Sequence, residues 1–257
     1  MILLANIGNT NLTYGLYHTS MLTTERFPIM NLSEQHRIEK LCLSLMEKFH
    51  MSVDQIEGVA LSSVVPEKTP LFAEVFRRFF SIEPMLISAE TVWGFDHSEY
   101  SGILGSDRLL GCKAAFKKYY PPFLVVDCGT ATTINVINQS GAFAGGVILP
   151  GVMTGLQALV TRTSLLKQIT ITRPKSVIGR NTEECMLSGA VFGTAAQIEG
   201  LVQRIQRELK TDATVILTGG NSEAVISHCT IPIQHEPDLL LEGLAMIYEE
   251  SNSKSKI

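Results

Sequence analysis

Phe123-Leu124-Val125-Val126-Asp127-Cys128-Gly129-Thr130-Ala131-Thr132-Thr133 decides how this 257-residue chain folds. The apolar, β-branched run at its start predicts a buried strand. The strand ends on a carboxylate, a glycine and then hydroxyl residues. Glycine permits a tight turn and lets backbone N–H groups come close to an anion. Thr130, Thr132 and Thr133 add side-chain donors. Asp127 repels a phosphate, so beside one it makes chemical sense only with a cation between them. A plain hairpin with a capping aspartate fits the same letters.

The pattern occurs twice. Ile2-Leu3-Leu4-Ala5-Asn6-Ile7-Gly8-Asn9-Thr10-Asn11 opens the chain. Aligning Asn6 with Asp127 sets Gly8 against Gly129 and Asn9-Thr10 against Thr130-Ala131. Another apolar stretch follows each copy, at 12–17 and at 134–137. Two strand–polar turn–strand units predict two similar α/β lobes facing one cleft, with phosphates gripped from both sides.

The order of elements supports a duplicated plan. After the first hairpin, a third strand is expected near 22–30, then a helix capped by Ser33 with Ile38, Leu41, Leu45 and Phe49 on one face. A strand at 59–65 stops at Pro66, and Thr69-Pro70 caps and opens a helix to about Phe80. A short strand at 85–88 and a loop at 91–105 follow. Ser106 caps a helix reaching about Tyr119. The lobe boundary is set near residue 118, giving lobes 1–118 and 119–257. The second lobe shows strands at 123–128, 132–138 and 144–149, then a helix to about Leu159 and an irregular basic stretch at 160–180. A long helix beginning after Asn181-Thr182-Glu183-Glu184 and reaching about Leu209, a strand at 215–217, a short edge strand at 231–233 and a last helix after Pro237 complete it. The tail 251–257 is expected to fray.

Composition narrows the class. With 45% hydrophobic and 18% charged residues the chain is globular. A net charge of −4 leaves no electrostatic footprint for nucleic acid or an acidic membrane. Cys42, Cys112, Cys128, Cys185 and Cys229 are scattered and odd in number, as reduced thiols in a cytoplasm are. No secretory signal and no membrane-length apolar run is visible, so a soluble cytoplasmic protein is expected. The six histidines have no metal-ligand spacing.

Four strand ends have the chemistry of phosphate turns: Asn6–Thr10, Asp127–Thr130, Gly145–Gly151 and Thr218–Gly220. Singly, each is an ordinary turn; together they favour a nucleotide site. Neither GxxxxGK[ST] nor GxGxxG is present. Gly105-Ser106-Asp107-Arg108 is the candidate reacting centre. It opens a helix, whose dipole favours an anion. Asp107 can accept a proton from a substrate hydroxyl, and Arg108 can pair with a carboxylate or phosphate through its planar fork. A first-turn Asp with a solvated Arg is the plain alternative.

These residues, with Ser62-Ser63-Val64-Val65-Pro66, Gly145–Gly151, Gly179-Arg180-Asn181-Thr182 and Pro237-Asp238-Leu239, resemble the type III pantothenate kinases of the acetate and sugar kinase/Hsc70/actin superfamily. The resemblance runs nearly end to end. It implies α/β architecture with two ribonuclease-H-like, actin-like ATPase lobes and an interlobe nucleotide cleft, a homodimer, and ATP-dependent phosphorylation of pantothenate, the first step of coenzyme A synthesis. By that likeness Asn6, Ile7, Gly8, Asn9, Thr10, Asn11, Leu12, Thr13 and Thr130 contact ATP, with which magnesium travels. Asp107 is the proton acceptor. Tyr100, Gly105, Ser106, Asp107, Arg108 and Thr182 hold pantothenate, Thr182 across the dimer interface. Asp127 binds a monovalent cation, potassium or ammonium.

The chain departs from the family pattern in places. Asn6 stands where the family's first phosphate motif has Asp, Thr13 stands where Lys is common, and the segment between Tyr100 and Gly105 is short. Three readings follow: an active pantothenate kinase, a catalytically weak paralogue that binds ligand and regulates, and another small-molecule kinase of the superfamily.

Overall fold

Each half of the chain lays down three antiparallel strands and then adds parallel strands to the other edge of the first. The structure is a computed structural model that describes residues 1–88, 90, 91 and 93–254. In the first sheet β1 (Ile2–Ile7), β2 (Asn11–Tyr17), β3 (Met21–Pro28), β4 (Gly58–Ser63) and β5 (Met85–Ile87) lie in the order β3-β2-β1-β4-β5. In the second, β6 (Phe123–Cys128), β7 (Ala131–Ile137), β8 (Phe143–Pro150), β9 (Thr214–Thr218) and β10 (Gln234–His235) lie in the order β10-β9-β6-β7-β8. Read outward from β1 and β6, the two sheets have the same topology and the same sense at every pairing. The duplication expected from two turns therefore extends through both sheets.

Helices cover the first sheet through α1 (Gln35–Lys48) and α2 (Thr69–Phe80). Ile38, Leu41 and Leu45 of α1 and Phe72, Val75 and Phe76 of α2 pack into one core with Leu3, Ala5, Ile7 and Leu61. Fully burying such a side chain contributes roughly 1.5–3 kcal/mol. Then come α3 (Ser106–Lys118), α4 (Val152–Arg162), α5 (Thr182–Leu209), α6 (Ser222–Ile226) and α7 (Leu239–Lys254). The 28 residues of α5 are long and apolar enough to cross a membrane by length and composition. Its Ala195, Ile198 and Val202 instead join Leu124, Val126, Val215 and Leu217 in the second core.

The compact units differ from a single division near residue 118. One comprises Met1–Gly94, Gly102–Ala114 and Asp238–Ile257, and the other comprises Phe95–Ser101 and Ala115–Pro237. Helix α7 returns to the first unit because its side chains find partners there. Tyr17 Oη donates to Glu249 at 2.8 Å, and Lys113 Nζ pairs with Glu250 at 2.8 Å. A Cβ on Gly243 would fall 2.2 Å from the Leu110 carbonyl oxygen, so glycine is what lets α7 meet α3.

Other local expectations shift for local reasons. Helix α1 begins after Glu34, with no side-chain cap from Ser33. Lys68 precedes α2, and Thr69 is its first residue, its hydroxyl donating to Val65 O at 3.1 Å. Ser106 opens α3 as a helical residue, its hydroxyl engaged elsewhere. The edge strand falls at Gln234–His235 and not at 231–233, where Pro232 has no N–H to give to a ladder. The 91–105 stretch is irregular as expected, yet Trp93 within it is 1% exposed; Val92 lies outside the described residues. Helix α7 continues to Lys254, so 251–254 are helical where fraying was expected, and 255–257 lie outside the described residues.

Candidate active site

Asn6 and Asp127 occupy equivalent places, each the penultimate residue of a strand. Asn6 is in register with Thr13 and Ser62, and Asp127 with Thr133 and Thr218. Directly paired residues on neighbouring strands share a face of the sheet. Each strand end therefore presents one amide or carboxylate flanked by two hydroxyls. After Asn6 the chain turns through Gly8, Asn9 and Thr10, with Gly8 N donating to Asn11 O at 2.9 Å and Ile29 N to Thr10 O at 2.9 Å. After Asp127 the turn is shorter by one residue, Gly129 N reaching Ala131 O at 3.1 Å. Ile7 and Leu12 are buried and anchor the first turn, while Asn9 and Thr10 are exposed at its tip.

The first unit brings Asn6 and the candidate base into one chain of contacts. Ser62, beside Asn6, forms a 2.8 Å hydroxyl–hydroxyl bond with Ser106, and both are buried. That bond ties the head of α3 to β4 and so fixes Asp107, the next residue. Asp107 Oδ1 accepts from Arg108 N at 2.8 Å. A Cβ on Gly105 would come within 2.6 Å of the same oxygen, which explains the glycine two residues before it. Burial pushes the Asp107 carboxyl above its ordinary range, against the opposing pull of the Arg108 N–H and the Arg108 charge. A carboxylate raised in this way is a better proton acceptor near neutral pH than an exposed one. Arg108 is buried, which removes the reading of it as a solvated side chain.

In the second unit the turn carrying Thr130 is strapped from several sides. Gly151 N and Thr154 Oγ1 donate to Thr130 O at 3.1 and 2.6 Å. Asn221 donates its N to Cys128 O at 2.9 Å, and its side-chain amide to Cys128 O and Gly129 O at 3.3 and 3.4 Å. Gly151 is forced by contact, since a Cβ there would lie 2.3 Å from Gly129 O. Gly219, at φ +96°, is forced twice over: its Cβ would lie 2.2 Å from Asp127 Oδ1. Thus three of the four turns read from the sequence, 127–130, 145–151 and 218–220, converge on Asp127 and Thr130.

Tyr100 and Thr182 stand on other parts of this unit. The Tyr100 ring packs edge-on against Phe143 at 5.6 Å, and the neighbouring Asp96 carbonyl accepts from Phe143 N at 2.7 Å. Thr182 is the exposed first residue of α5. Asn181 caps that helix, Oδ1 accepting from Glu184 N at 2.9 Å, and Glu184 in turn accepts from Arg180 N at 2.8 Å. Asn181 and Glu183 line a pocket with Arg173, Lys175 and Arg180. The Ser62–Ser106 bond and the Asn221 strap carry no sequence signal, because each joins residues far apart in the chain.

The donor sets suit hard cations. Among the described residues no cluster of three His, Cys, Asp or Glu could hold a metal. Asp127 with the hydroxyls of Thr133 and Thr218 is instead an all-oxygen set of low charge, the chemistry that alkali and alkaline-earth ions take. At the other strand end Asn6 is 7% exposed and its Oδ1 is a buried acceptor that no donor of the described chain meets. An orphan acceptor costs stability unless a metal, its water or a ligand satisfies it.

Comparison with known proteins agrees with this geometry. Residues 2–204 match the type III pantothenate kinase family. A type III pantothenate kinase of Roseiflexus sp. (strain RS-1) is 38% identical, the match spanning 98% of this chain and 100% of the relative. One from Exiguobacterium sp. (strain ATCC BAA-1283 / AT1b) is 36% identical over 98% and 99%. Among solved structures, the activator of the 2-hydroxyisocaproyl-CoA dehydratase from Clostridium difficile, with bound ADPNP, superposes with a TM-score of 0.56 over 98% of this chain and 96% of that one. At 12% identity that likeness shows the fold alone, an α/β chain with two mixed five-stranded sheets. A match to the family over residues 2–204, with a relative 38% identical over nearly the whole chain, places this duplicated two-sheet chain in the type III pantothenate kinase family.

Proposed function

We propose that the protein transfers the γ-phosphoryl group of ATP to the primary hydroxyl of pantothenate, giving 4'-phosphopantothenate, the first step of coenzyme A synthesis. The observation that carries the reading is Asp107: a partly buried carboxylate, pushed above its ordinary range by desolvation and held at the head of α3 by the Ser62–Ser106 bond in a chain of this family. Asp107 takes the hydroxyl proton as the oxygen attacks phosphorus. Phosphoryl transfer otherwise asks the protein mainly for positioning and charge neutralisation. Residues 6–13 and Thr130 hold the phosphates through backbone N–H groups and hydroxyls. Tyr100, Gly105, Ser106 and Arg108 hold pantothenate, and Thr182 reaches it from the second chain of a homodimer.

Magnesium supplies charge neutralisation on the phosphates; Asn6, with Thr13 and Ser62 beside it, is the set that would hold it. Asp127, with Thr133 and Thr218, would hold potassium or ammonium. The substrates are those of a cytoplasmic enzyme, and neither nucleic acid nor membrane enters the reaction. The test is ATP- and potassium-dependent formation of phosphopantothenate by the purified protein. Nucleotide and pantothenate binding without product would refute it.

A further inference from the structure

Ser222, Glu223 and His235 bring a hydroxyl, a carboxylate and an imidazole together in the second unit. Ser222 Oγ lies 2.7 Å from the Gly219 carbonyl oxygen and 2.9 Å from His235 Nε2. Glu223 is 3.9 Å from His235 Nδ1. Counting protons settles the direction of the chain. A carbonyl only accepts, so the one Ser222 proton goes to Gly219, and His235 Nε2 carries the proton that Ser222 Oγ accepts. This serine is therefore no nucleophile: its proton is committed to a carbonyl, its imidazole is a donor rather than a base, and it is 2% exposed. The Glu223 side chain is 90% exposed, so its pull on the ring is screened.

The carbonyl at the end of this chain is well placed to matter. The Gly219 backbone lies against the Asp127 carboxylate, and Asn221, two residues on, donates to Cys128 O and Gly129 O of the turn that carries Thr130. His235 itself sits in a strand of two residues, in register with Leu217 at the end of β9. Glu236, next to it, is clamped by Lys118 Nζ and Tyr119 Oη, each at 2.6 Å. The imidazole is thus held from behind while its Nε2–H holds the Gly219 carbonyl through Ser222.

We infer that His235, acting through Ser222, is a positioning residue for nucleotide: the relay Nε2–H to Oγ, Oγ–H to carbonyl fixes residues 219–221 and through them Asp127 and Thr130. The inference rests on the proposed assignment of Asp127 and Thr130 to the phosphate end of ATP. The full chain is compared as wild type, Ser222→Ala, His235→Leu and His235→Gln. ADPNP affinity is read by calorimetry, and KM for each substrate from initial rates.

Loss of the relay in Ser222→Ala and His235→Leu raises the ADPNP Kd and the KM for ATP about tenfold, which is ~1.4 kcal/mol and the scale of one buried hydrogen bond. The KM for pantothenate stays within about twofold. His235→Gln, whose Nε2–H reaches the same distance as the histidine's, stays within about threefold of wild type. Should His235→Leu not fold, Ser222→Ala decides, because it removes a hydroxyl and nothing else. A wild type that binds no ADPNP overturns the nucleotide reading and this inference with it. Unchanged ADPNP affinity in the variants of a wild type that binds overturns the inference alone. So does a parallel rise in the KM for pantothenate, or an equal loss in His235→Gln and His235→Leu, which would make the ring a packing element.

Discussion

Replacing Asp107 by Asn separates catalysis from stability, and the structure gives opposite signs for the two. The amide keeps the side chain's size and leaves an oxygen to accept from Arg108 N, a bond of 2.8 Å in the native protein. It removes the proton acceptor. General-base assistance contributes typically about 10²–10⁴-fold, or roughly 2.7–5.4 kcal/mol of barrier, so turnover at saturating ATP and pantothenate falls at least ~10²-fold. Pantothenate affinity survives, because the other groups proposed to hold the substrate remain. Stability moves the other way. Burial raises the folded-state pKa of Asp107 above its ordinary 3.8. Below 3.8 the carboxyl is protonated in both folded and unfolded chains and costs nothing; as pH climbs through the raised value, the folded protein must hold a partly desolvated charge and loses stability. Asp107→Asn carries no such charge. It therefore melts above wild type at pH 7, and the gap closes as pH falls towards 3.8. Initial rates of phosphopantothenate formation and melting curves across that pH range read both effects. Near-normal turnover would remove Asp107 from the mechanism. A variant that melts below wild type at pH 7 would refute the account of burial as the source of the raised pKa.

Three further outcomes follow from the site. Asp127→Ala weakens ATP binding and abolishes activation by potassium or ammonium, as read from turnover across a potassium series; an unchanged response places the monovalent cation elsewhere. Asp107→Asn protein mixed with Thr182→Val protein recovers activity through hybrid dimers if each site draws on both chains, and proven subunit exchange without rescue shows that each site is built within one chain. Asn6→Asp raises turnover about 10- to 10³-fold, equivalent to ~1.4–4 kcal/mol, and lowers the magnesium requirement; equal magnesium curves for the two proteins would detach Asn6 from the metal.

What the sequence made legible was local chemistry. The runs Ile2–Ile7 and Phe123–Cys128 are strands because apolar, β-branched segments of that length between turn residues have few other ways to be buried. Their polar ends were visible because glycine and hydroxyl residues cluster there. The run Asn181-Thr182-Glu183-Glu184 reads as preceding α5, yet the helix begins within it, at Thr182, because the Asn181 side chain caps it by accepting from Glu184 N. What stayed hidden depends on contacts between distant positions. Nothing near Gly243 says that its missing Cβ accommodates Leu110, so the return of α7 to the first unit could not be foreseen. Trp93 lies in a stretch rich in turn residues, and only tertiary packing buries it. The two-residue strand Gln234–His235 is too short to show any period; a register with Ile216 and Leu217 creates it. Of the site residues, the aspartates and glycines were visible by type, whereas Ser62, Asn221, Ser222 and His235 act through partners between 3 and 93 residues away.

The duplicated fold also sharpens what Asn6 means. Asn6 and Asp127 hold the same place in equivalent strands, with a hydroxyl residue in register on either side. They differ in charge and in exposure: Asn6 is buried, whereas Asp127 is only partly so. A carboxylate as deeply buried as Asn6 would be costly without a cation, since desolvation penalises the charged form. The amide avoids that penalty and leaves a smaller one, an Oδ1 without a donor. The same neutrality weakens the pull on a divalent metal, which kinase sites usually hold with one or two carboxylates and the phosphates of the substrate. Metal-free stability and metal-dependent rate therefore respond in opposite directions to one substitution. Asn6→Asp loses stability when magnesium and ATP are absent and regains it when they bind, because a ligand that prefers the folded state stabilises it by mass action.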